Sequence, residues 1–133
     1  MNLPITAAVA AICGLLLLLT GVLTVRQRFR LKQSFGLGDD PALMAASRSH
    51  GNLAEHAPIV IAMLALLEAN HADGRVLAVV AALFVIGRVL HIIGLQQGSA
   101  PGKPPLPRKL GVILTWLTLG VLAVWLLAML AGG

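Results

Sequence analysis

The stretch LPITAAVAAICGLLLLLTGVLTV, residues 3–25, carries no charged side chain, and Arg26, Arg28, Arg30 and Lys32 follow it directly. It exceeds the roughly 20 apolar residues that a helix needs to cross a bilayer. It is too long for a signal-peptide apolar region and reads as a first membrane span. Two further stretches read the same way. Residues 76–95 hold Arg88 and His91 as their only ionisable groups, and residues 110–131 hold none. The fourth stretch is mixed. Residues 42–56 place Arg48, Ser49, His50, Asn52, Glu55 and His56 among small residues, whereas 57–69 are apolar until Glu68. A stretch of thirteen residues cannot span alone, so the polar half must enter the membrane or stand just above it. Pro58 predicts a kink between the halves.

Composition supports this reading. Of 133 residues, 58% are hydrophobic and 11% charged, against about 25% charged in soluble chains, and the mean hydropathy is +0.90. A chain this small has too little interior to hide so much apolar surface from water. Its abundance of Leu, Val, Ile and Ala excludes disorder. The expected fold is an all-α integral membrane protein. One four-transmembrane-helix bundle covers residues 1–133, with helices near 3–30, 42–69, 75–95 and 108–131. Gly36-Leu-Gly-Asp-Asp-Pro41 and Asn70-His-Ala-Asp-Gly74 read as turns, and residues 96–109 as a loop holding Pro101, Pro104, Pro105 and Pro107.

The net charge of +5 reads as basic flanks of membrane spans. Nucleic acid is not an expected partner: single-strand binding wants stacking surfaces, and the chain has three Phe, two Trp and no Tyr. The first and third loops are basic, the second holds only Arg75. Basic loops stay in the cytoplasm, so both termini are expected to face outward. Cys13 reads as inert packing, Trp116 and Trp125 as packing or interfacial anchors, and Glu68 and Asp73 as solvated helix ends. Glycine spacings carry little weight in so apolar a chain. The scattered histidines 50, 56, 71 and 91 lack companions at ligand spacing, so no metal site is expected.

The informative residues are the ionisable ones at membrane depth, which are costly there and face a bundle interior or a wet cavity. Arg48, Asn52 and Glu55 fall at i, i+4 and i+7, on one stripe of a helix. Arg88 and His91, three apart, share a face. Arg26 and Arg108 stand where the first helix leaves the membrane and the fourth enters it. Glu55 could simply neutralise Arg48 or Arg88. Four arginines around one carboxylate nevertheless leave a positive surplus suited to an anionic ligand, and Asn52 adds an amide donor and acceptor.

The run Arg48-Ser-His-Gly-Asn52-Leu-Ala-Glu55-His-Ala-Pro58 resembles the second-helix signature of the MAPEG family, the membrane-associated proteins of eicosanoid and glutathione metabolism. Gly87-Arg88-Val-Leu-His91 resembles the third-helix signature. The resemblance runs through essentially the whole chain and is nearest to the small bacterial members, which implies a bacterial inner membrane location. It implies a homotrimer with glutathione bound between neighbouring subunits near the cytoplasmic side. It also implies attack of the glutathione thiol on an apolar, lipid-derived electrophile or a hydroperoxide. By this resemblance Arg26, Arg48, Asn52, Glu55, Arg88 and His91 would line the glutathione site, and Arg108 would stabilise the thiolate. Where family enzymes use tyrosines this chain has none, and Leu95 stands one turn beyond His91. That departure keeps a second expectation in view: a non-catalytic lipid- or partner-binding protein on the same scaffold.

Overall fold

The computed structural model describes residues 2–98 and 102–132; Pro101 of the expected third loop lies outside them. Four helices make up the regular structure there: α1 (Pro4–Leu31), α2 (Pro41–Ala69), α3 (Gly74–Gln96) and α4 (Leu106–Gly132). All four are long and apolar enough to cross a membrane. The shortest has 23 residues, about 35 Å at 1.5 Å per residue. The protein is therefore an all-α integral membrane protein.

The helix starts follow from local chemistry. Asp40 caps α2 by accepting from the Leu43 N–H, and Asp73 caps α3 by accepting from Arg75 N–H and Val76 N–H. Prolines occupy the first turns of α1 and α2, where a missing N–H costs nothing. α1 has no cap from its own neighbouring side chains. Glu68, from the last turn of α2, supplies one across the fold. Its carboxylate accepts from Ile5 N–H and Thr6 N–H at 2.9 Å and from the Thr6 hydroxyl at 2.7 Å. Glu68 is thus not the solvated end expected from its position; Asp73, by contrast, is an exposed cap. α2 is one continuous helix through Pro58.

α1 packs along α2 and α3 along α4, while α2 reaches both α3 and α4 and α1 also meets α3. Short connections between long helices make neighbours antiparallel. The core collects Cys13, Leu53, Val60, Leu64, Phe84 and Leu122. Thr20 binds the α1 carbonyls of Leu16 and Leu17 and meets His50 of α2 at 3.2 Å. Outward faces are apolar: Leu15, Leu18 and Val22 of α1, and Trp116, Val124 and Leu127 of α4, are exposed, as a lipid-facing surface requires.

The tightest crossing is between α3 and α4, and it rests on glycines. A Cβ on Gly111 would lie 2.6 Å from the His91 nitrogen and 2.7 Å from the Gly87 oxygen; one on Gly94 would lie 2.6 Å from Arg108 Cβ. No other residue type allows the backbones to approach so closely. The glycines that set this crossing, Gly87 and Gly94 on α3 and Gly111 on α4, do not stand at the four-residue spacing that a sequence search looks for.

Candidate functional site

The crossing brings the polar groups of three helices to one level. Counting at 1.5 Å per residue, Glu55 lies roughly 20 Å along α2 from Glu68, and Arg88 roughly 21 Å along α3 from Gly74. Both distances are shorter than the roughly 30 Å thickness of a hydrocarbon layer.

Arg88 is 2% exposed. One terminal nitrogen donates to Asn52 Oδ1 of α2. The other donates to the Gly111 carbonyl of α4 at 3.2 Å and to the Thr115 hydroxyl. Thr115 passes its own proton to the Gly111 carbonyl at 2.7 Å. The guanidinium lies 5.9 Å from the Phe84 ring centroid. Arg88 is therefore a cross-tie joining α2, α3 and α4. Its Nε is buried without a partner among the described residues. Thr115 went unnoticed in the sequence because a threonine in a Leu-rich helix has no pattern of its own.

His91, one turn further along α3, is 6% exposed, and its ring makes no hydrogen bond among the described residues. Its backbone lies directly against Gly111 of α4, and one turn back Arg88 reaches both α2 and α4. Gly94 lets Arg108, half-buried in the first turn of α4, press directly onto α3 just beyond His91. An arginine at a helix N-terminus opposes the helix dipole, and the two together favour an anion at that spot. His56, absent from the sequence-based set, belongs to the stripe of Arg48 and Asn52 at i+8 and donates from Nδ1 to the Asn52 carbonyl at 2.8 Å. Its i+4 spacing from Asn52 was the signal.

The remaining expected residues stand on the outside. Arg26, Arg48 and Glu55 are exposed. Glu55 pairs with neither Arg48 nor Arg88; the single ion pair among the described residues is Arg30–Asp40 at 2.7 Å. The residues named from the sequence thus divide into an inner set, Asn52, Arg88 and His91 with Arg108 at its rim, and an outer set, Arg26, Arg48 and Glu55. No group of His, Cys, Asp and Glu able to hold a metal occurs among the described residues.

The fold and this polar layer define a four-helix integral membrane protein with a cationic cluster at membrane depth. The MAPEG family model matches residues 6–128, and the chain belongs to the MAPEG family. It is similar to inner membrane protein YecN of Escherichia coli strain K12, 28% identical over 115 residues, covering 86% of this chain and 84% of the relative. The YecN of E. coli O6:H1 strain CFT073 shows the same identity and coverage. No solved structure matches the chain.

Proposed function

We propose that the protein is a bacterial inner membrane glutathione transferase or peroxidase. In this reading it works as a homotrimer with its basic loops in the cytoplasm and both termini outside. The observation that carries it is the pair Arg48 and Glu55, exposed and without an ion-pair partner among the described residues, on a stripe of α2 that this reading sets within the membrane. Charged groups there are costly unless a neighbouring subunit covers them. An intersubunit hollow lined by Arg26, Arg48, Asn52, Glu55 and His91 would complement glutathione, which carries two carboxylates and one ammonium. Arginines pair with the carboxylates through doubled hydrogen bonds, and Glu55 suits the ammonium. Arg88 spends three of its five donors within the subunit and chiefly holds the hollow's walls together. Arg108 stabilises the thiolate: a guanidinium lowers a thiol pKa from about 8.5, and the thiolate is the attacking form. It then bonds to the electrophilic atom of an apolar co-substrate arriving from the lipid, and the leaving group departs.

The test is thermal stabilisation of the detergent-solubilised protein by glutathione against a thiol-free analogue, together with turnover of chlorodinitrobenzene. Ligand binding to the native state raises the melting temperature. Glu55→Gln should weaken glutathione binding. Arg108→Ala should cut turnover about a hundredfold, the order seen when a group stabilising developing charge is removed, while leaving binding in place. Turnover unaffected by Arg108→Ala rejects its role. The second reading, a non-catalytic lipid- or partner-binding protein, is favoured by the absence of tyrosine. It expects no turnover with any electrophile or hydroperoxide.

A further inference from the structure

We propose that the α1–α2 turn holds an anionic phospholipid, its headgroup among Arg28, Lys32, Gln33 and Ser34 and one acyl chain along α1, apart from the cluster of α2–α4. Charge on α1 begins at Arg26, so residues 26–31 carry the helix roughly 9 Å past the apolar span. That distance is comparable with the headgroup zone on one side of a bilayer. A cavity of about 350 Å³ opens there, walled by Val25 and Phe29 and rimmed by the four polar residues. It is large enough for a small polar headgroup.

The charges around it point to an anion. Lys32 is exposed and has no partner among the described residues. Arg28 spends one nitrogen on the Ser34 and Gly36 carbonyls, at 3.2 and 3.0 Å, which shapes the turn. Its other donors are unengaged among the described residues. Neither Asp39 nor Asp40 lines the cavity, and Asp40 is taken by Arg30. Two cations without a carboxylate favour a phosphate whose headgroup carries no ammonium. Lys32 also holds a left-handed backbone, φ 52°, at a helix end where glycine is the usual choice. A lysine there carries a conformational cost, and in return its ammonium stands at the rim.

The apolar side selects a lipid over a soluble phosphate. The cavity shares Val25 with a groove of about 370 Å³ that continues along α1 past Val22, Gly21, Leu18 and Leu17. A polar pocket opening into an apolar channel at the membrane boundary matches a headgroup with its chain. Phe29 and Phe35, 80% and 88% exposed, flank this end of the helix and suit the headgroup–acyl border.

The test is the melting temperature of the detergent-solubilised protein with dioleoylphosphatidylglycerol, dioleoylphosphatidylcholine or glycerol 3-phosphate. Phosphatidylglycerol should raise it by about 4 °C over phosphatidylcholine, and glycerol 3-phosphate should not. Lys32→Gly removes the ammonium and relieves the backbone. It should melt no lower than the parent in phosphatidylcholine yet lose more than half of the phosphatidylglycerol increment. Equal effects of the two lipids overturn the proposal, as does an increment that survives Lys32→Gly and disappears in Lys103→Glu. A full increment from glycerol 3-phosphate alone also overturns it.

Discussion

At the scale of single residues, Arg88 illustrates how far a sequence can be read. Its presence inside an apolar span marked it as important, because a guanidinium at that depth demands partners. Which partners it takes was not legible: Asn52, the Gly111 carbonyl and Thr115 come from helices that meet only on folding. The consequence is testable. Thr115→Val keeps the side-chain shape but leaves an Arg88 donor unsatisfied in the core. It should destabilise the protein by about 1–3 kcal/mol, read as a lower melting temperature in detergent. The neighbouring Thr118→Val should cost less, since the Thr118 hydroxyl bonds only to the α4 carbonyls of Leu114 and Thr115. Gly94 and Gly111 were present in the sequence but mute, since a glycine reveals close approach only when the opposing backbone is known.

At the scale of elements, each helix was recognisable from apolar length alone, while the ties between helices were not. Glu68 looks like the polar end of α2 and is in fact the cap of α1. Glu68→Gln should loosen the first turn of α1 and cost about 1 kcal/mol, by analogy with lost caps and dipole partners. Faster hydrogen exchange at Ile5 and Thr6, with α3 unchanged, is the expected signature. At the other end, Asp40 joins the α1–α2 turn to α2. The Leu43 N–H and then Arg30 hold its carboxyl below its ordinary range. A carboxylate with a lowered folded value contributes stability above its unfolded value and loses it as pH falls through the folded one. The turn should therefore open only on acidification below about pH 4, seen as faster exchange at Leu43 while the helix interiors remain protected.

At the scale of the whole molecule, the question is what covers the outer polar set. A lone subunit leaves Arg48 and Glu55 exposed at or near hydrocarbon depth, an arrangement lipid disfavours. The proposed trimer removes that cost. Light scattering of the solubilised protein should give three copies of the 13.8 kDa chain per particle. A monomer that still binds glutathione tightly would separate the ligand site from subunit contacts.

The amino-acid sequence by itself determined that this chain lives in a membrane, that four helices cross it, and that arginines gather toward one side. Those features depend only on local hydropathy and on charge along the chain. The division of the polar residues into a buried cross-tie and an outward stripe was decided by tertiary structure alone. It depends on the rotation of each helix about its axis, and for α3 and α4 that rotation is set where Gly87, Gly94 and Gly111 let two backbones touch.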